Sequence, residues 1–499
     1  MQLNPAVCYR AVQARDARYD GRFFTCVRTT GIYCRPTCPA RPPKLENCTF
    51  VPTAAAAQAA GYRPCLRCRP ESSPELDAWR GSEATVSRAL KLIEAGALDQ
   101  GDMKSLANRL GVGERQLRRL FGHHLGAPPI VVAQTRRVLL AKQLIHETNL
   151  TMVDVALASG FGSVRRFNET FQRLYGRSPA KLRRRTSAGP VGPEITILLP
   201  YRPPYDWQAM LHFLKRREIS GLELVTDDSY SRVIEFDGAI GTVRVTHVPA
   251  RSSLQVTTQI STLKSLPTII TRIRRQFDLG AEPTAIASAL SCDPLLAPLV
   301  AARPGLRVAG AWDGFEIAVR AVLGQQITVK SATTLAQRLV ATLGTPVADK
   351  TNVPGLTHLF PRPQRFKLEL LARLGMPRNR AMTLVAIAEA VKADPFLFDP
   401  RHNLDEAIAN LQRLAGVGEW TAQYIAMRAL GESDAFLAAD VALQRSYARN
   451  GSRPSAKKLL ARAQRWRPWR AYAVAHLWLA DTENQQAMQS KEIYNALTA

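Results

Sequence analysis

Seven of the chain's eight cysteines fall before residue 70, and four of them, Cys34, Cys38, Cys65 and Cys68, form two close pairs spaced Cys-x3-Cys and Cys-x2-Cys. Two such pairs brought together by a folded loop make a tetrahedral thiolate cage, the donor set that zinc prefers. The N-terminal part is therefore expected to be a small metal-stapled module rather than a domain built on a large apolar core. The other four cysteines, Cys8, Cys26, Cys48 and Cys292, are expected to be unligated and buried as small apolar side chains.

The 499 residues exceed what one core can organise and predict three or four domains. Lys and Arg outnumber Asp and Glu by 67 to 41, a formal charge of +26, which points to a polyanionic partner. Residues 1–190 carry 30 basic and 14 acidic side chains, and the remainder 37 and 27, so both parts are basic and the first is denser. Nucleic acid is the expected partner throughout; no lone basic amphipathic helix suggests a membrane surface. The first residues do not read as a secretion signal, and no stretch reads as apolar enough to span a bilayer, so neither secretion nor a membrane span is expected. With metal thiolates and free cysteines, this reads as a reducing cytoplasm.

The pattern along the chain predicts a multidomain α+β protein. Residues 1–78 are rich in Pro, Gly, Arg and Cys and short of regular helix pattern. Residues 83–185 are helix-patterned, and 186–193 read as a polar Gly/Pro linker. In 194–305, Ser231–Phe236, Gly241–His247 and Ser253–Gln259 alternate apolar and polar residues, with Asp237-Gly238 as a hairpin turn. An antiparallel sheet is expected there, flanked by helices starting near Asp206 and Leu266. From about 312, within 306–499, strand patterns vanish and helical periodicity returns.

Two segments in the helical region look alike. Leu106–Val112 followed by Glu114–Phe121, and Val153–Phe161 followed by Ser163–Phe171, each read as a short helix, a Gly-containing turn and an Arg-rich second helix. That is helix-turn-helix grammar, and Arg115, Arg119, Arg165 and Asn168 are placed to reach base edges or phosphates. The second copy continues as Gly-Phe-Gly-Ser-x3-Phe-x3-Phe-x4-Gly-x-Ser-Pro, ending at Pro179, and closely resembles the AraC family of transcription activators. Upstream, Asp16–Gly21, Thr29-Thr-Gly-Ile-Tyr-Cys34-Arg-Pro and Gly61-Tyr-Arg-Pro-Cys65-Leu-Arg-Cys68 resemble the N-terminal half of Ada, the bacterial adaptive-response regulator.

The resemblance implies one zinc ion on the cysteine quartet and makes Cys34 a methyl acceptor. Four thiolates around a divalent cation leave surplus negative charge, which repels an ordinary phosphate but admits a neutral methyl phosphotriester. It also implies promoter DNA and RNA polymerase as partners, and a bacterial, nucleoid-associated location. The Pro-Cys-His-Arg motif of the family's second methyl acceptor does not occur, so no repair of O6-methylguanine is expected.

In the C-terminal half, Leu411-Gln-Arg-Leu414-Ala-Gly416-Val417-Gly418-Glu-Trp420-Thr421-Ala422 reads as a helix-hairpin-helix, with amide groups free to meet a DNA phosphate. With Asp440 placed 22 residues after Gly418, it resembles the helix-hairpin-helix superfamily of base-excision DNA glycosylases. Trp420 occupies the position where strand-cutting members carry a Lys, which implies a monofunctional hydrolase. Leu199–Trp207, Ala302–Leu306, Val319–Gln325 and Trp466–Tyr472 narrow the resemblance to the AlkA-type 3-methyladenine DNA glycosylase II. It implies a base pocket of Phe213, Trp420, Tyr424 and Trp478, with Asp440 as the catalytic carboxylate. DNA contacts would fall at Gly416, Gly418, Thr421 and Gln326, and a monovalent cation on the carbonyls of Leu414 and Val417. Gln326 stands where the wedge residue is a Leu, and Val441 where an aromatic is known.

The expectation is a monomeric fusion that senses and repairs alkylated double-stranded DNA. Two alternatives are a transcription factor whose C-terminal half is only a DNA clamp, and a glycosylase with an inert zinc staple.

Overall fold

The computed structural model describes residues 3–73, 84–99, 101–183, 194–347, 351, 353–448 and 453–498. The chain folds as two compact units, Met1–Tyr201 with Ile234–Arg274, and Arg202–Val233 with Arg275–Ala499. The expected linker 186–193 lies outside the described residues.

The first unit begins with a helix that the composition did not suggest. Asn4 caps Pro5–Ala14, its side chain accepting from the amides of Ala6 and Val7, and Pro5 sits where a missing N–H costs nothing. Cys8, Ala11 and Val12 bury one face of this helix against Phe23. A four-stranded sheet follows, in the order Cys48–Val51, Phe24–Val27, Ile32–Cys34, Arg63–Pro64. The last pair is parallel, with Tyr33 opposite Pro64. This register sets Cys34, at the end of one strand, beside Cys65, just past the end of the next. Cys8 and Cys26 are buried as expected. Cys48, the first residue of an edge strand, is only partly buried, and Cys292, just past the helix Pro283–Leu290, is exposed.

Both expected helix-turn-helices are present. Met103–Arg109 leads through Gly111, at φ +66°, into Glu114–Leu125. Met152–Ala158 leads through Gly160, at φ +85°, into Val164–Tyr175. Asp102, Thr151 and Ser163 cap helix starts with side-chain oxygens. Phe161, Phe167, Phe171 and Tyr175 pack in a row, which explains the aromatic spacing of the second copy. The long helix Pro129–Glu147 joins the two copies. Within the same unit, strand Ser253–Gln259 pairs antiparallel with Glu194–Pro200 on one side and Ala239–Val248 on the other. Asp237 and Gly238 both have positive φ, +50° and +78°, as a two-residue hairpin turn requires.

The second unit is built mainly of helices around one apolar cluster that includes Phe315, Val319, Leu384, Ile425, Phe436 and Trp466. Helix Trp207–Lys215 starts at Asp206, whose side chain caps it. The short strand Glu223–Val225 pairs with Tyr230–Arg232. One strand pair does occur past residue 312: Thr345–Pro346 lies against His358–Leu359, too short to show as alternation in the sequence. The motif helices are Leu404–Gln412, with an Asn403/Glu406 capping box, and Glu419–Ile425. Among the described residues no helix is long and apolar enough to cross a membrane.

Candidate functional sites: a cysteine quartet and an aromatic groove

In the first unit, the sulfurs of Cys34, Cys38, Cys65 and Cys68 all lie within 4.8 Å of one another. Four soft donors at that spacing fit one tetrahedral zinc ion. The amides of Arg35 and Arg67 donate to the sulfurs of Cys68 and Cys65, at 3.4 and 3.3 Å, and so favour thiolates. Cys38, Cys65 and Cys68 are 6–9 % exposed, and Cys34 is partly buried. Arg35, next to it, is tied down by an ion pair with Asp20 and by bonds to the Cys68 carbonyl and the Ser72 hydroxyl. Arg115, Arg119, Arg165 and Asn168 are exposed on the second helices of their motifs. Arg165 shares its charge with Glu169 at 2.8 Å.

The second unit holds a groove of about 1290 Å³. Its lining brings together Trp420, Tyr424, Asp440 and Trp478 with Gln326, Gly416, Gly418 and Thr421. Asp440 caps helix Val441–Ser446, one oxygen accepting from the Leu443 amide at 3.0 Å. The same oxygen accepts from Trp478 Nε1 at 3.1 Å, and the other from Trp420 Nε1 at 2.9 Å. The expected cap and a carboxylate held in the groove thus coexist in one residue. Trp420 and Tyr424, one helical turn apart, stack at 5.3 Å and 15°. Tyr424 is tilted against Trp478 at 6.2 Å. Phe213 stacks on Trp478 at 6.5 Å but lines a smaller neighbouring cavity of about 60 Å³ rather than the groove itself.

The hairpin needs its first glycine. Gly416 has φ +81°, and a Cβ there would stand 1.9 Å from the Thr383 hydroxyl. Gly418 has open space around it. The Gln325 amide ties this turn in place, donating to the Gly416 carbonyl and to the Thr421 hydroxyl, both at 3.0 Å. Gln326 is exposed and left-handed, at φ +58°. Val441, after the carboxylate, is 51 % exposed and lines the groove.

Sequence reasoning missed the charges beneath the rings. Arg217 lies over Phe213 at 3.8 Å, and Arg428 over the same ring at 4.8 Å. Arg428 also donates to the Tyr424 hydroxyl at 2.7 Å. Burial would raise the Tyr424 pKa, but Arg428, Arg217 and Arg320 outweigh it and lower the value. Burial lowers the Arg217 pKa to about 10. Behind them, Arg320 pairs with Glu223 and Glu316, and Arg232 with Glu316, all within 2.8 Å and all buried or nearly so. Arg217 and Arg428 each follow a pocket aromatic by four residues, a helical spacing that could have flagged them.

A carboxylate gripped by two indoles beside a helix-hairpin-helix defines a base-excision DNA glycosylase architecture, here on one chain with a four-cysteine module and paired helix-turn-helices. The comparisons agree segment by segment. The metal binding domain of Ada matches residues 7–71, a helix-turn-helix domain 106–185, the AlkA N-terminal domain 196–313, and the HhH-GPD superfamily of base excision DNA repair proteins 319–471. A probable bifunctional transcriptional activator/DNA repair enzyme AlkA of Mycobacterium tuberculosis is 40% identical over 97% of this chain and 98% of its own length. DNA-3-methyladenine glycosylase 2 of Escherichia coli is 34% identical over 57% of this chain and 96% of its own length. The solved 3-methyladenine DNA-glycosylase of Archaeoglobus fulgidus shares the fold over 57% of this chain and 98% of its own, with a TM-score of 0.50 at 23% identity. The chain belongs to the family of AlkA-type bifunctional transcriptional activator/DNA repair enzymes.

Proposed function

We propose that this protein removes alkylated purines from double-stranded DNA by hydrolysis, accepts methyl groups from DNA methylphosphotriesters on Cys34, and regulates transcription of the response. The observation that carries the reading is Asp440, its two oxygens held by Trp420 and Trp478 inside a groove that also holds Tyr424.

An alkylated purine is electron-poor and often cationic, so the faces of Trp420, Tyr424 and Trp478 attract it once it is flipped from the duplex, with Phe213 packed behind Trp478. It is also a good leaving group. The C–N bond breaks, the electron pair departs with the base, and the Asp440 carboxylate stabilises the sugar cation while water adds at the anomeric carbon and gives up a proton to solvent. With Trp420 at the first turn of its helix there is no amine there to form a Schiff base, and the strand is left uncut. Gly416 and Gly418 hold a backbone phosphate on the turn that buried Thr421 braces through Gln325, and the carbonyls of Leu414 and Val417 would hold a monovalent cation there. Gln326, pushed outward by its left-handed backbone, fills the gap the base leaves.

Bound zinc keeps the four sulfurs deprotonated and fixed in place. The Cys34 sulfur attacks the methyl carbon, a C–S bond forms, the C–O bond breaks, and the phosphate leaves as an ordinary diester. The protein then carries one negative charge fewer beside DNA, which tightens the hold of Arg115, Arg119, Arg165 and Asn168 on a promoter. RNA polymerase recruitment, a monomeric state and a cytoplasmic, nucleoid-associated location complete the reading.

Incubation of the pure protein with methylated duplex DNA tests it. Free 3-methyladenine and a protein mass increased by one methyl on Cys34 are expected. Release without methylation would make the zinc module a staple, and methylation without release would make the second unit a clamp.

A further inference from the structure

Helix Pro129–Glu147 joins the two helix-turn-helices, yet it carries a lysine with no exposed surface. Lys142 Nζ donates to Glu71 Oε2 at 2.7 Å and to the backbone carbonyl of Cys65 at 2.8 Å. A buried ammonium is tolerated only where its partners are held in place. Those partners lie on one short loop, residues 65–72, which also supplies two of the four cysteine sulfurs.

The same loop reaches further. Arg69, in the left-handed region at φ +51°, donates to Glu71 Oε1 at 3.2 Å and to Glu147 Oε1 at 2.9 Å. Glu147 ends the helix, where a negative charge is disfavoured by the helix dipole, so its place there calls for another cause. Its second oxygen accepts from Gln143 Nε2 at 2.9 Å and from the amide of Leu198 at 3.2 Å. Gln143 also donates to the Leu198 carbonyl at 2.7 Å. Leu198 lies on Glu194–Pro200, the edge strand of its sheet, and the two side chains satisfy the groups such an edge leaves open. At the other end of the helical module, the Thr53 hydroxyl donates to the Leu125 carbonyl at 2.8 Å, at the end of the first motif's second helix.

We propose that the relay Lys142–Glu71–Arg69–Glu147 couples the metal state of the cysteine quartet to the helix joining the two DNA-binding motifs, and through it to strand Glu194–Pro200. A metal pins residues 65–72 and so keeps the partners of Lys142 in position. Without it the loop loosens, the lysine loses its carbonyl and carboxylate, and the helix loses its anchor. Metal-binding free energy thereby becomes rigidity of the DNA-binding module. The proposal rests on the quartet holding zinc; it is independent of whether Cys34 accepts methyl groups.

Amide hydrogen exchange of the full chain, with zinc bound and after removal by a chelator, tests it, with zinc content measured on the same samples. In the wild type, stripping zinc should speed exchange across 129–147 and 194–200 by about tenfold or more, with helix Glu419–Ile425 unchanged. In the double variant Lys142→Met with Glu71→Gln, both segments should lose their dependence on zinc. In Glu147→Ala, where the side chain is only 16 % exposed, the helix should still respond and the strand's response should shrink, because Gln143 alone then reaches Leu198; this variant serves even where the double variant does not fold. A wild type that binds zinc but whose helix exchanges alike in both states overturns the coupling. A double variant that responds as the wild type does overturns the role of Lys142. A chain that binds no zinc overturns the reading of the quartet, and the coupling with it.

Discussion

Trp420 Nε1 donates a 2.9 Å hydrogen bond to Asp440 Oδ2, so the ring that stacks on Tyr424 also orients the carboxylate. The two roles separate in Trp420→Phe, which keeps an aromatic face and loses the N–H. A hydrogen bond to a charged group contributes about 1.5–3 kcal/mol, so single-turnover release of 3-methyladenine should slow roughly tenfold to a hundredfold. Binding to undamaged duplex, followed by fluorescence anisotropy, should be unchanged.

The hairpin glycines should respond unequally. Gly416→Ala drives a methyl into Thr383 at a left-handed position and should cost more than about 2 kcal/mol of stability. Gly418→Ala meets nothing within 4 Å and should cost less than about 1 kcal/mol. Thermal unfolding of the two variants measures the difference.

Two buried groups of the second unit set its acid sensitivity in different windows. Burial lowers the His476 pKa from 6.5 to about 4, so the folded state resists a proton that the unfolded chain accepts. Stability from this source is complete above 6.5 and falls as pH drops toward 4. Burial alone would raise the Glu316 pKa, but Arg232 and Arg320 outweigh it and lower the value from 4.5 to about 2. Its contribution is complete above 4.5 and is lost as pH falls through 2. Urea unfolding monitored across pH should show both slopes. His476→Gln should remove the upper one. Glu316→Gln should lessen the lower one, to which Asp293 also contributes, while costing about 3–5 kcal/mol at neutral pH, because Arg232 and Arg320 keep only Glu223 as a shared carboxylate.

The exposed arginines of the helix-turn-helices predict a salt signature. Replacing Arg119 or Arg165 with Ala removes a phosphate contact, and the slope of log affinity against log salt should fall by about one for each. Titrations of a promoter duplex at several salt concentrations give that slope. An unchanged slope would remove these residues from the DNA interface.

Much of this architecture was legible because it is written locally. Cys34, Cys38, Cys65 and Cys68 announce their cluster by spacing, and Gly416, Gly418 and Trp420 lie within one short motif, with Asp440 placed 22 residues after Gly418. Helix Pro5–Ala14 was masked by a composition that suggested loops, although Asn4-Pro5 is a sound start signal. Strand Glu194–Pro200 buries Ile195, Ile197 and Leu199 by strict alternation, but it abuts a Gly/Pro run that drew attention away from it. The relay from Lys142 to Glu147 and the charges behind Tyr424 could not be read. Glu223, Arg232, Glu316 and Arg320 are ordinary surface types until the fold pairs them, and no local pattern records which acid meets which base.

The central claim is that two separate electron-rich centres meet two kinds of electron-poor damage. Its most direct test crosses two variants on one methylated duplex, reading released base and protein mass together. Asp440→Asn should abolish release of 3-methyladenine while Cys34 still gains its methyl, and Cys34→Ser should abolish the mass gain while base release continues at the wild-type rate. If neither substitution changes either readout, both site assignments are contradicted.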